Sequence, residues 1–169
     1  MITAGYVRAM AAYNAEMNRR VYAAADRLGD ARRREDGGAF WGSIHRTLNH
    51  ILWADRLWMS RFAGSAPPPA DIAGGTEMFD DFPRLAAERA ETDALIGGWA
   101  EGLGQAWLES EMAWFSGLLQ REIRAPAWLL VAHLFNHQTH HRGQAHALIT
   151  RFGERIGDTD LFLVVPPES

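Results

Sequence analysis

With 169 residues, 47% of them apolar, 22% charged and seven Trp, the chain is sized for one globular domain spanning residues 1–169, with a sizeable core and large buried or interfacial aromatic surfaces. A net charge of -4 leaves no electrostatic footprint for nucleic acid, and the Arg32-Arg33-Arg34 run is followed at once by Glu35 and Asp36, so it reads as a solvated loop. Cysteine is absent, which excludes disulfides, thiolate ligands and a Cys nucleophile and leaves His, Asp or Glu to hold any metal.

The first residues, Met-Ile-Thr-Ala-Gly-Tyr-Val-Arg, lack a charged segment followed by an apolar core, and no stretch approaches the roughly 18 apolar residues of a membrane span. A cytoplasmic protein is the expectation. Tyr6, Met10, Tyr13, Met17, Val21 and Leu28 recur at helical spacing, which predicts a first amphipathic helix from about residue 3 to 28, stopped by Gly29. After a polar, Gly-containing connection, Ser43 or a neighbour caps a second helix whose stripe runs Ile44, Leu48, Ile51, Trp58 and Phe62. The segment 63–75, with Pro67-Pro68-Pro69 inside it, cannot continue a helix and reads as a long connection.

From roughly Phe79, the residues Phe82, Leu85, Arg89, Asp93, Ile96, Trp99 and Leu103 give a third helix with polar members on its inner stripe. Residues 108–124 break that period, and Trp114-Phe115 before Ser116-Gly117, then Leu119 to Ile123, fit a small hairpin. Pro126 suits the first turn of a fourth helix running to about Phe152, ahead of Gly153. The tail Leu161-Phe162-Leu163-Val164-Val165 is apolar enough to pack on the body or on a partner. Four long helices with polar outer faces bury their stripes on one another, so the expected fold is all-α, a four-helix bundle with long connections and a small β-hairpin between helices three and four.

The chemistry concentrates on the fourth helix. His133, His137 and His141 are four residues apart, and at about 100° per residue such positions stack nearly above one another and can present ring nitrogens to one ion. With His137 at zero on the wheel, Leu130 and Leu148 fall about 20° away and His141 about 40°, so the His137–His141 pair is read as pointing into the bundle. His140 falls near the edge of that arc, and His146 and Phe135 on the opposite side. Arg142 also lies roughly opposite, which favours a salt-bridge or interface role, and Gly143 suggests close helix approach. Gln144 is inward and able to bond a ligand's second nitrogen or a substrate.

Side-by-side buried imidazoles need either a polar network or a cation to satisfy them, and at i, i+4 on one inward face a metal is the better reading. Zinc-like ions want at least three protein ligands. The second helix offers His45, His50 and Asp55, and periodicity alone does not choose among them. It does say that His50 and Asp55, about 140° apart, do not share one coordination sphere, that Asp55 is better read as a buried salt-bridge or hydrogen-bond partner, and that His45 belongs to the surface or rim.

The runs Gly42-Ser43-Ile44-His45-Arg46-Thr47-Leu48-Asn49-His50-Ile51-Leu52-Trp53-Ala54-Asp55-Arg56-Leu57-Trp58 and His133-Leu134-Phe135-Asn136-His137-Gln138-Thr139-His140-His141-Arg142-Gly143-Gln144 resemble the two signature segments of the DinB-like (damage-inducible) bundle proteins. The resemblance covers almost the whole chain. It implies a four-helix bundle with a divalent metal held by one His of helix two and a His-x3-His pair of helix four, which carries over to His50, His137 and His141. It implies also that dimers are common, and that relatives in the wider superfamily use the metal in thiol-dependent transfer or isomerisation with low-molecular-weight thiols such as bacillithiol or mycothiol.

Three neutral imidazoles plus water leave an exchangeable position, the mark of a reactive site. The functional expectation is a metal-dependent thiol transferase in which a thiol, arriving as cosubstrate, is activated for attack on a small electrophile, with His133, His140 and Gln144 as candidate catalytic residues and zinc or nickel as the metal. The competing readings are a non-catalytic metal-stabilised dimeric bundle or small-molecule binding protein, and a metal-dependent hydrolase. A homodimer is expected, without nucleic-acid or membrane partners.

Overall fold

The computed structural model describes residues 1–117 and 119–165. In chain order it contains α1 (Ala4–Arg27), α2 (Gly29–Arg34), α3 (Ile44–Phe62), a 3-10 turn at Gly74–Thr76, α4 (Phe82–Glu101), α5 (Gln105–Leu108), an antiparallel hairpin of β1 (Glu111–Ser116) and β2 (Arg121–Pro126), α6 (Ala127–Arg151) and α7 (Leu161–Val164). The four long helices α1, α3, α4 and α6 correspond to the four expected from periodicity. Three of them start on a side-chain cap: Thr3, Ser43 and Asp81 each accept from the backbone N–H three residues on. The hairpin falls where the helical period fails, with Trp114 opposite Ile123.

Helices α1 and α3 each pack on both α4 and α6. Their apolar faces form two clusters. One gathers Met17, Val21, Leu48, Leu52, Phe82, Leu85 and Leu148, and the other Val7, Met10, Met59, Ile96, Leu130, Leu134 and Phe135. Between them, on every helix, the sequence changes from apolar to polar: Asn14 and Asn18 on α1, Asp55 on α3, Arg89 and Asp93 on α4, Gln138 and Arg142 on α6. Arg89 Nη1 donates to Asp55 Oδ2 at 2.5 Å, and its Nη2 lies 2.7 Å from Asp93 Oδ1. Asn18 Nδ2 donates to Asp93 Oδ1 at 3.0 Å, and Asn18 Oδ1 accepts from Arg142 Nη1 at 3.5 Å. Two carboxylates and two guanidiniums thus balance across four helices in a layer from which Asp55 and Arg89 expose 0% and 2% of their surface. Burial pushes the Asp55 carboxyl up to about 6 against the lowering pull of Arg89.

Several sequence expectations are corrected. The third helix begins at Phe82 rather than near Phe79, because Asp81 caps it with Pro83 in its first turn. Phe79 is held outside it by Asn49, whose Nδ2 donates to the Phe79 carbonyl at 3.1 Å while its Oδ1 accepts from the Phe79 N–H at 2.8 Å. The arginine run is no solvated loop: it lies in α2, where Arg33 is buried, donates from Nη1 to the Ala25 and Asp26 carbonyls, and places its guanidinium 4.2 Å from the Phe82 ring centroid. His45 is not at the surface; it is 4% exposed, with Nε2 3.0 Å from the Phe79 carbonyl. Phe135 and Arg142 are buried too, and Gly143 has nothing within 4 Å of where a Cβ would stand, so it marks no close approach. In the tail, Leu161, Phe162 and Leu163 stay exposed while Val164 packs on the core. Among the described residues, no helix is long and apolar enough to cross a membrane.

Removing one member of the charged layer leaves an uncompensated buried charge. Asp55→Ala is expected to lower unfolding free energy by about 3–5 kcal/mol, read by urea denaturation; a loss below about 1 kcal/mol would show that the layer is not the desolvated network described.

Candidate metal centre

The packing of α3 against α6 sets His50 opposite His137 and His141. Each offers one ring nitrogen, and the three nitrogens lie within 4.8 Å of one another. His50 Nε2 and His137 Nε2 are 3.1 Å apart, and the three ring centroids stand 4.5–5.0 Å from each other. Two ligand nitrogens bonded at about 2.0–2.1 Å around a tetrahedral ion are separated by roughly 3.3 Å. The spacing of these imidazoles therefore fits a single divalent ion. No Asp or Glu joins the cluster among the described residues.

Neighbouring groups prepare the rings. His141 Nδ1 lies 2.9 Å from Gln144 Oε1, an acceptor, so Nδ1 carries the proton and the Nε2 lone pair is left for a ligand bond. The Gln144 amide in turn donates to His140 Nε2 at 3.3 Å. Burial, followed by the neighbouring imidazoles of His141 and His50, pushes the His137 imidazole down to about 3. Burial, with His141 beside it, pushes His50 down to about 4. Burial lowers His141 as well, although its bond to Gln144 opposes the shift. All three rings are thus held neutral near pH 7, the protonation state that binds metal.

Trp41 lies against His50 with centroids 4.3 Å apart, Trp53 stacks on the same ring at 5.9 Å, and Phe40 faces His141 at 6.3 Å. The loop carrying Phe40 and Trp41 leaves α2, turns at Gly38 and Gly42, both at positive φ, and presses against α6 at Gly37. There a Cβ would stand 2.4 Å from Leu148 Cδ2, so any larger residue would displace the Leu148 side chain. Sequence reasoning passed over Trp41; its only trace was an aromatic pair inside a glycine-punctuated connection.

The remaining expected site residues divide. His133 is one turn from His137, with rings 5.7 Å apart, and sits against Trp58 at 5.3 Å, exposed to solvent. His140 is exposed and reaches His141 through Gln144. Asp55 belongs to the charged layer and not to the triad, as its angular offset from His50 foretold. The helical wheel was rotated, however. The buried arc of α6, made of Val131, Leu134, Gln138, Ala145 and Ile149, is centred about 90° from His137, so the His pair lies on the flank of the bundle rather than in its centre. On that flank the neighbouring His133 and His140 are exposed to solvent.

The family model described as DinB family matches residues 1–165. No curated protein and no solved structure matches the chain at a significant level.

In the unfolded chain His137 titrates near 6.5, so between that pH and about 3 the unfolded state binds more protons than the folded one. The stability this neutral ring permits is present above 6.5 and lost as pH falls. Metal-free protein should therefore lose stability relative to its His137→Gln variant as pH drops from 7 toward 4, a difference in which the opposite tendency of Asp55 cancels. Urea denaturation at several pH values reads it; a relative stability that stays flat or rises on acidification would contradict the assignment.

Proposed function

The chain belongs to the DinB family, and on that premise we propose that it is a metal-dependent enzyme in which His50, His137 and His141 hold one zinc or nickel ion and a low-molecular-weight thiol is turned against a small electrophile. The observation that carries this is the convergence of three neutral ring nitrogens from two helices, with no carboxylate and no fourth imidazole among the described residues to close the set. A structural site in a protein of this kind closes its tetrahedron with protein ligands, whereas a reactive one keeps a position for an exchangeable group. When bound, a divalent ion supplies Lewis-acid chemistry, lowering the pKa of a thiol or water that joins it.

The chain's own residues supply the rest. Gln144 holds the His141 ring in the tautomer that offers Nε2. Trp41 and Trp53 pack against His50 and keep bulk water from its ring, where charge interactions gain strength from the lower dielectric. His133, one turn from His137 and with its pKa lowered where the ring loses water against Trp58, takes the proton that the thiol gives up as its sulfur bonds to carbon and the leaving group departs with its electron pair. Since the protein has no Cys, the thiol comes from solution. The reading extends to a homodimer in the cytoplasm, to be checked by sedimentation and by localisation.

Elemental analysis of untagged protein should find one equivalent of divalent metal per chain, lost in His50→Ala, His137→Ala and His141→Ala with helical content retained. Metal retained in all three variants would refute the triad. Gln144→Ala should weaken metal affinity roughly 10–100-fold while leaving helical content unchanged, as measured by competition with a chromogenic chelator. In a screen of several small thiols against 1-chloro-2,4-dinitrobenzene, transfer should disappear on chelation and return with added metal; transfer indifferent to chelation would remove the metal from the reaction.

A further inference from the structure

We infer that Arg61 is the anion-recognition residue at the end of a line of aromatic rings leading to the triad, and that this aromatic face takes an organic molecule carrying a carboxylate or sulfonate on a flat apolar body. Arg61 follows His50 on α3 by 11 residues, which is three turns, about 20° round the helix and about 16 Å along it. The two residues therefore share one face of α3. Between them runs a continuous line of rings: His137 to His133 at 5.7 Å, His133 to Trp58 at 5.3 Å, and Trp58 to Trp114 of β1 at 5.8 Å. The Arg61 guanidinium closes this line, 4.7 Å from the Trp58 centroid and 5.6 Å from that of Trp114.

Among the described residues, no carboxylate lies within 4.0 Å of Arg61, and it donates no hydrogen bond. Arg56, on the same helix, is by contrast paired with Glu88. Burial against the two indoles strips water from Arg61 and lowers its pKa, with no counter-charge to offset the effect. A guanidinium laid against indole faces uses its plane for cation–π contact and keeps its N–H edge free for a bidentate acceptor. The exposed surfaces of Trp58, Trp114 and His133 suit a planar apolar body. An anionic group bound this far from the reacting end would supply binding energy that positions the other end at the triad.

Only the identity of the aromatic line's far end rests on the metal-dependent reading. The test titrates naphthalene-2-carboxylate, with naphthalene-2-carboxamide as its neutral counterpart, into nitrogen-15-labelled full-length protein and follows the indole N–H resonances of Trp58 and Trp114. The carboxylate should shift both resonances and bind about ten-fold more tightly than the amide. Arg61→Gln should abolish that preference without changing metal content, and Arg61→Lys should restore part of it. Equal binding of acid and amide to the natural protein, or an undiminished preference in Arg61→Gln, would overturn the inference. A preference that survives in protein shown to bind no metal would support the anion site while removing the metal reading.

Discussion

The site depends on the axial register between α3 and α6. A slip of one helical turn, about 5.4 Å, would carry His50 out of reach of His137 and His141, and neither helix's apolar stripe alone forbids such a slip, because leucine packs on leucine in several registers. The charged layer forbids it. Asp55 meets Arg89 and Arg142 meets Asn18, so a displaced helix would strand a buried charge at a cost of several kcal/mol. The imidazoles stand at the same level of the bundle, on its flank. The polar layer that divides the apolar core into two clusters is in this sense also the scaffold of the candidate metal centre.

The flank position matters for chemistry. Three neutral imidazoles at the centre of a packed core would form a closed structural site, since nothing else could reach them. Here the third side is made of a glycine-bearing loop and its Trp41 rather than a fifth helix, and a line of rings, exposed at His133 and half-buried at Trp58 and Trp114, runs from it toward the hairpin. Low pKa values at His50 and His137 follow from their partial burial, and this neutrality is what ligand imidazoles require.

Much of this was legible in the sequence. The four helices, the hairpin and the His137–His141 pair followed from period and spacing, and resemblance to the DinB-like segments singled out His50 where the wheel left His45, His50 and Asp55 open. What misled the wheel was the polar layer itself. Gln138 and Arg142 lie on the buried arc of α6, but a reading that sends polar residues outward rotates the inferred core toward Leu130 and Leu148 and makes the histidines look central. His45 was sent to the rim for the same reason: its partner, the Phe79 carbonyl, lies 34 residues away in a segment without helical period. Trp41 and Arg61 were invisible as site residues because a loop position and an unpaired charge acquire meaning only once the fold shows what lies beside them.

X-ray absorption spectroscopy of the protein loaded with one equivalent of cobalt or zinc bears on the central claim most directly. The account expects the scattering pattern of three imidazoles at about 2.0–2.1 Å plus one light-atom ligand that changes to sulfur when a small thiol is added. A first shell with fewer than three imidazoles, or a full set of protein ligands unaltered by thiol, would contradict it.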